Sequence, residues 1–161
     1  MRLLSAGCGE GEEAFDMAFE CAEHLGLDSS WQVGGIDIRH DAIDLAKFAQ
    51  WEFENRAVLP QSHLNRWLQP RHNGLEILPE LRVKMGCHCQ NLLHLEQQNA
   101  YKVIFCRNVI MDMEKRRGDM LIEKLMSVLK PNGYLGVSRN ENLKNIVTSE
   151  NLLFPQIARK F

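Results

Sequence analysis

The sequence predicts an α/β domain built on a mostly parallel sheet with helices on both faces. Three observations carry that expectation. Short apolar runs alternate with segments of helical periodicity, a glycine-rich turn joins the first run to the first helix, and the second run ends on an acidic residue.

Each element has its own local reason. Leu3 to Ala6 is a compact apolar run, and after the glycines Phe15, Ala18, Phe19, Ala22 and Leu25 recur at helical spacing. Trp31 to Asp37 reads as a second strand, followed by a helix with Ile43, Ala46 and Ala49 or Gln50 on one face. Residues 56–80, with Pro60, Pro70 and Pro79 around an amphipathic core from Leu64 to Leu68, break the alternation and read as an insertion. Leu81 to Met85 alternates apolar and charged residues, and Tyr101 to Cys106 is a compact apolar run. Both are strand candidates, the second central and buried. Glu114 to Leu129 reads as a helix with Leu121, Leu125, Val128 and Leu129 on one side, ended by Lys130-Pro131-Asn132-Gly133. Tyr134 to Val137 returns as a strand. Leu152, Leu153, Phe154 and Ile157 suggest a last strand or hairpin. Trp51 and Trp67 are read as covering the core.

The chain of 161 residues fits one domain, spanning 1–161. A formal charge of −2 gives no global reason to bind nucleic acid or an anionic membrane. No apolar run is long enough to span a bilayer and no signal-peptide pattern opens the chain, so the expected location is the cytoplasm. The five cysteines are odd in number and irregularly spaced, which favours reduced thiols over a disulfide framework. Cys87-His88-Cys89 with His94 offers a metal reading. A Cys-x-Cys pair on a strand, however, points both thiols to one face without completing four ligands.

Gly7-Cys8-Gly9-Glu10-Gly11 follows a strand and opens a helix, where missing side chains let backbone approach a ligand. Asp37, at the end of the next strand, is placed to accept hydrogen bonds from a ribose diol. Glu10, Glu12 and Glu13 crowd the helix start and would repel a pyrophosphate, so a cationic sulfonium ligand fits better than a dinucleotide. The plainer alternative is a tight turn with acids that favour the helix start. Cys106-Arg107-Asn108 closes the buried strand at the same sheet edge. Its alternative is a solvated strand end with Arg107 in a surface ion pair.

The segments Ser5 to Glu13 and Ile104 to Val109 resemble the CheR family of chemotaxis-receptor glutamate methyltransferases, whose motifs read S-A-G-C-S-T-G-E-E and I-F-C-R-N-V. Gly35-Ile36-Asp37-Ile38 resembles the family's acidic strand end and Gln90-Asn91-Leu92 its Asn-Leu step. Leu129 to Leu135 resembles its L-K-P-G-G-x-L turn, and Glu141-Asn142 the end of its H-S-E-N segment. The resemblance implies a Rossmann-like class I methyltransferase fold and S-adenosyl-L-methionine as cofactor. Ala6, Gly7, Cys8, Gly9 and Glu12 would lie near the methionine part, Asp37 and Ile38 at the ribose, Asn91 and Leu92 beside the adenine, and Arg107 and Asn108 in the same pocket. It implies methyl transfer to a glutamate of a chemoreceptor-like protein.

The departures bear on the acceptor. Gly9-Glu10 stand where the family has Ser-Thr, Ala14 where it has proline, and Arg139-Asn140 where it has His-Ser. The family tyrosine after R-N-V, near the transferred methyl, aligns with Asp112. Asp112 and Arg107 are therefore the catalytic candidates. A carboxylate at 112 would attract a sulfonium or repel an incoming glutamate. The family's N-terminal helical domain is expected to be absent from this chain, as in a fragment or in a reduced relative without those contacts, with a partner chain as one source of the missing elements. Residues 56–80 align with the family's small substrate-side subdomain in remodelled form. Two further functions follow: a non-catalytic cofactor-binding or interaction domain, and a methyltransferase for another acceptor.

Overall fold

The computed structural model describes residues 1–48, 50–52, 63, 66–71 and 74–161. Its elements run β1 (Arg2–Ala6), α1 (Glu12–Leu25), β2 (Gln32–Asp37), α2 (His40–Phe48), β3 (Gln50–Glu52), β4 (Leu68–Arg71), β5 (Gly74–Ile77), α3 (Pro79–Arg82), β6 (Met85–Cys89), β7 (Tyr101–Cys106), α4 (Lys115–Val128), β8 (Leu129–Val137), β9 (Leu152–Phe154) and β10 (Ile157–Arg159). Short 3-10 turns at Leu92–His94 and Ile110–Asp112 follow β6 and β7.

Seven strands form one sheet in the order β6-β2-β1-β7-β8-β10-β9. The pairs from β6 to β8 are parallel, and β10 joins β8 and β9 antiparallel. The expected α/β architecture is therefore present, with the expected C-terminal hairpin. Chain order runs outward from β1 in both directions, and at such a switch point the loops leaving neighbouring strands diverge and open a crevice at their carboxyl ends.

Strand alternation sends side chains to two cores. Leu3 and Val33 face α1 and pack with Phe15, Ala18, Phe19 and Ala22. Leu4, Ala6, Ile36 and Ile104 face the other way, toward Leu121, Ile122, Leu125 and Val128 of α4. Ile43 and Ala46 of α2 close a smaller cluster with Cys8 and Cys87.

Within residues 56–80, β4 and β5 pair antiparallel and join β3 in a separate three-stranded sheet. Leu68, Leu75 and Ile77 of this sheet join the α1 core, as does Trp67, whose Nε1 donates to Glu23 Oε1 at 2.8 Å. The Trp51 side chain, Ala49, Pro60, Leu64 and Asn65 lie outside the described residues.

Two expectations are corrected. Leu81 to Met85 is not a strand: Pro79 stands in the first helical positions of α3, and Leu81 is fully buried from that turn. The strand begins at Met85 instead and carries Cys87-His88-Cys89. Lys130 to Gly133 does not precede β8 but is looped out within it. Leu129 pairs with Tyr101 and Tyr134 with Val103, and Asn132 takes a left-handed φ of 59°.

Candidate functional site

The loop after β1 is built by backbone hydrogen bonds to the end of β2. The N–H groups of Gly7 and Cys8 donate to Ile36 O at 2.7 and 3.1 Å, and Gly9 N–H donates to Asp37 Oδ2 at 2.9 Å. Gly7 has φ of 81°, and a Cβ there would stand 2.3 Å from Val109 Cγ2, so both backbone and space demand glycine. Gly9 has φ of 57°, and a Cβ there would make ordinary contacts with an Arg39 nitrogen at 3.4 Å and Glu12 Oε2 at 4.0 Å, so backbone rather than space favours glycine.

Asp37 is buried and heavily used. Its Oδ1 accepts the Arg39 N–H at 2.9 Å and Arg39 Nε at 3.3 Å. Burial alone would raise its pKa, but the N–H groups of Arg39 and Gly9 and the Arg39 guanidinium outweigh it and hold the carboxyl below its ordinary range. An ionised carboxylate offers about four lone-pair sites, so the side chain still has acceptor capacity for a hydroxyl.

Seven predicted residues meet at the carboxyl ends of the strands. Gly7, Asp37, Ile38, Asn91, Leu92, Asn108 and Asp112 line one cleft of about 480 Å³, a size typical of small-molecule sites, which run roughly 300–1,000 Å³. Asn91 Oδ1 accepts the Leu93 N–H at 3.0 Å and so shapes its own turn. Asn108 is exposed with a left-handed φ of 57°, a conformation to which asparagine is suited. Arg39, Gln90, Leu93, Val109, Met113 and Leu121 complete the lining. Of these, Arg39, Leu93 and Met113 belong to no motif or pattern in the sequence, although Arg39, two residues past Asp37, is within reach of a local reading.

The remaining candidates stand elsewhere. Ala6 is fully buried in the α4 core, and Cys8 packs beneath the loop beside Cys87. Glu12 is exposed at the start of α1, and neither it nor Gly9 lines the cleft. Arg107 is a correction. It points to the α1 face of the sheet, where its Nε lies 3.7 Å from Glu13 Oε2, and it lines a different groove with Leu3, Met17 and Phe105. The cause is strand alternation: Arg107 shares the face of Phe105, opposite Cys106. Glu13 also accepts Ser5 Oγ at 2.7 Å, and burial raises its pKa against the pull of Ser5 and Arg107.

Glu141 holds the cleft wall, a task that its neighbours in the sequence do not signal. It is buried, and its carboxylate accepts the N–H groups of Asn108, Val109, Ile110 and Met111 at 3.3, 3.1, 2.9 and 3.3 Å. Ser138 adds its N–H at 2.9 Å and its hydroxyl at 2.8 Å. Burial would raise this carboxyl, but the bonds from Ser138, Ile110 and Met111 prevail and lower it. Among the described residues no group of three or more His, Cys, Asp or Glu is arranged to hold a metal ion.

A family model described as CheR methyltransferase, SAM binding domain, matches residues 1–157. The chain is 27% identical over 154 residues to the chemotaxis protein methyltransferase of Salmonella typhimurium, covering 91% of this chain and 53% of that protein. It is also 27% identical over 149 residues to chemotaxis protein methyltransferase 2 of Pseudomonas aeruginosa, covering 88% and 53%. The chain thus spans about half the length of the curated relatives it matches. PKMT2 from Rickettsia typhi, solved in complex with AdoHcy, has a TM-score of 0.54 at 18% identity, with 84% of this chain and 20% of that one covered. An arsenic (III) S-adenosylmethionine methyltransferase from Chlamydomonas reinhardtii has a TM-score of 0.54 at 14% identity, with 85% and 38% covered. At these identities the likeness to the solved structures is one of fold.

Proposed function

The chain belongs to the family of CheR methyltransferase S-adenosylmethionine-binding domains, and on that premise we propose that it binds S-adenosyl-L-methionine in the cleft between Gly7, Asp37 and Asn108 and serves methyl transfer to a glutamate carboxylate of a chemoreceptor-like protein. The single observation that carries the reading is the tie between Gly9 and Asp37, which fixes an open glycine loop beside an ionised acceptor at the sheet's switch point. The cleft suits such a ligand chemically. Asp37 keeps acceptor capacity for ribose hydroxyls, Leu92 and Leu93 offer an apolar surface for a purine, and Asn108 offers a polar side chain at the opposite wall.

When bound, the cofactor supplies a methyl group on a positively charged sulfur, and a glutamate carboxylate, ionised at neutral pH, accepts it without a general base. The protein's part is therefore alignment and exclusion of water. Gly7 gives close backbone approach, Glu141 sets the wall from Asn108 to Met111, and Met113 and Leu121 supply apolar lining. In this reading the location is cytoplasmic and the protein substrate reaches the cleft past Asp112. A partner chain supplying further active-site elements belongs to the same proposal, as does a substrate-side role for residues 56–80.

A second reading, a cofactor-binding domain without turnover, is favoured by Asp112, an exposed carboxylate on the cleft wall that would repel an acidic acceptor. Incubating the protein with methyl-tritiated S-adenosylmethionine and a chemoreceptor cytoplasmic fragment separates the two. Alkali-labile methyl esters on the fragment support transfer. Cofactor binding without ester formation, relieved by Asp112→Tyr, supports the second reading.

A further inference from the structure

Two thiols meet beneath the glycine loop. Cys8 lies in the loop and Cys87 at the middle of β6, both buried. They come together over Gly35 of the intervening strand β2, where a Cβ would stand 2.9 Å from Cys87 Sγ and 3.0 Å from Cys8 Sγ. Any larger residue at 35 would drive them apart, while the Cys8 S–H is directed to Gly9 O at 3.7 Å.

The pair is asymmetric. The neighbouring Cys8 thiol lowers the Cys87 pKa against the effect of burial, and the Gly35 N–H and the Lys47 ammonium lower it further. The same contact, with burial and the neighbouring charges, pushes Cys8 up. Cys87 also borders a second, small cavity of about 100 Å³ with Phe15, Ala46, Lys47, Arg82 and Met85. A water molecule occupies about 30 Å³ in the liquid, so hydrogen peroxide or a small hydroperoxide fits. Elsewhere, burial raises Cys21 and Cys106, which leaves both thiols protonated and poorly nucleophilic.

We propose that Cys87 and Cys8 form a peroxide-responsive dithiol in which Cys87 is oxidised first and Cys8 resolves it to a disulfide. The Cys87 thiolate attacks one oxygen of a hydroperoxide. An S–O bond forms, the O–O bond breaks, and the leaving alkoxide or hydroxide takes up a proton, so Cys87 loses two electrons and becomes a sulfenic acid. The Cys8 sulfur then attacks Cys87. An S–S bond forms, the S–O bond breaks, and the leaving hydroxide takes the Cys8 proton as water. Two thiols and one hydroperoxide thus give a disulfide, an alcohol or water, and a further water.

Closing the bond draws Cys8 toward β6. Its flanking residues make the loop's contacts, Gly7 with Ile36 O and Gly9 with Asp37, so the loop shifts away from its cofactor-ready shape. That consequence rests on the cofactor reading given above, whereas the thiol chemistry does not.

The test is mass-spectrometric mapping of the purified chain after treatment with hydrogen peroxide in the presence of dimedone. The wild type should yield a disulfide-linked Cys8–Cys87 peptide, Cys8→Ser a dimedone adduct on Cys87, and Cys87→Ser neither. Oxidation of Cys21, Cys89 or Cys106 ahead of Cys87 overturns the proposal, as does a lasting Cys87 sulfenic acid in the wild type with Cys8 free. The wild-type map alone decides if a variant fails to fold. In parallel, S-adenosylmethionine affinity should fall at least tenfold on oxidation and return with dithiothreitol. A disulfide that leaves the affinity of a binding-competent chain unchanged overturns the coupling to the cleft.

Discussion

Glu141 reaches back 31 residues to hold the Ile110 N–H at 2.9 Å, and with it the turn that forms one wall of the cleft. Removing the carboxylate leaves several backbone donors without an acceptor, each costing about 1–3 kcal/mol where water cannot replace it. Glu141→Ala should therefore destabilise the chain by about 3 kcal/mol, lowering the melting temperature by roughly 6–12 °C. Thermal unfolding followed by circular dichroism checks this, and a shift under about 2 °C would mean that the wall holds itself.

Acid should expose the same carboxylate. Glu141 and Asp37 are both held below their ordinary values of 4.5 and 3.8 in the folded chain, so the unfolded chain takes up protons first as pH falls. Their stabilisation is complete above those ordinary values and is lost as pH drops through the lower folded ones. Glu13 works in the opposite sense: its raised value costs stability as pH climbs from 4.5 through the folded value. Urea unfolding between about pH 2 and 6 should show a steep acid limb that flattens in Glu141→Gln. Parallel limbs would remove Glu141 from the account.

Gly7 and Gly26 form a natural control pair. Both have positive φ, 81° and 76°, but a Cβ at Gly7 meets Val109 Cγ2 at 2.3 Å while one at Gly26 meets nothing within 4 Å. Gly26, at φ 76° and ψ 158°, sits in a region essentially reserved for glycine, so Gly26→Ala should cost backbone strain alone, about 1–3 kcal/mol. Gly7→Ala should cost more and also weaken cofactor binding, because Val109 must move. Equal unfolding free energies for the two variants would show that Val109 yields freely.

Arg107 lies on the far face of the sheet from the cleft, against Glu13. Arg107→Ala should leave S-adenosylmethionine affinity within about twofold, as substitutions without shared partners do. A tenfold loss by calorimetry would bring Arg107 back into the site.

Much of this site is legible locally. A strand, a glycine turn and a helix, followed by a strand ending in Asp37, are patterns of near neighbours that locate Gly7 and Asp37 at one sheet edge; the end of the buried strand adds Asn108, whereas Asn91 follows only from the family resemblance. Arg107 is misplaced by that reading although the signal is present, since period-two alternation puts it with Phe105 on the α1 face while Asn108 turns away with φ of 57°. Leu81 to Met85 misleads because Leu81, Val83 and Met85 alternate as a strand would, while Pro79 starts a helical turn. Glu141 and the Cys8–Cys87 pair depend on tertiary register. The first acts across 31 residues on Ile110, and the second arises only because Cys87 lies opposite Gly35 in the sheet.

Whether the cleft is a cofactor site is decided by isothermal titration of S-adenosylmethionine into the wild-type chain and into Asp37→Ala, with circular dichroism to confirm that both are folded. Measurable binding by the wild type is expected, with an affinity at least tenfold weaker in the variant, a difference of about 1.4 kcal/mol or more. Equal affinity in the two folded proteins, or no binding by the folded wild type, would contradict the assignment of Asp37 and its cleft to the cofactor.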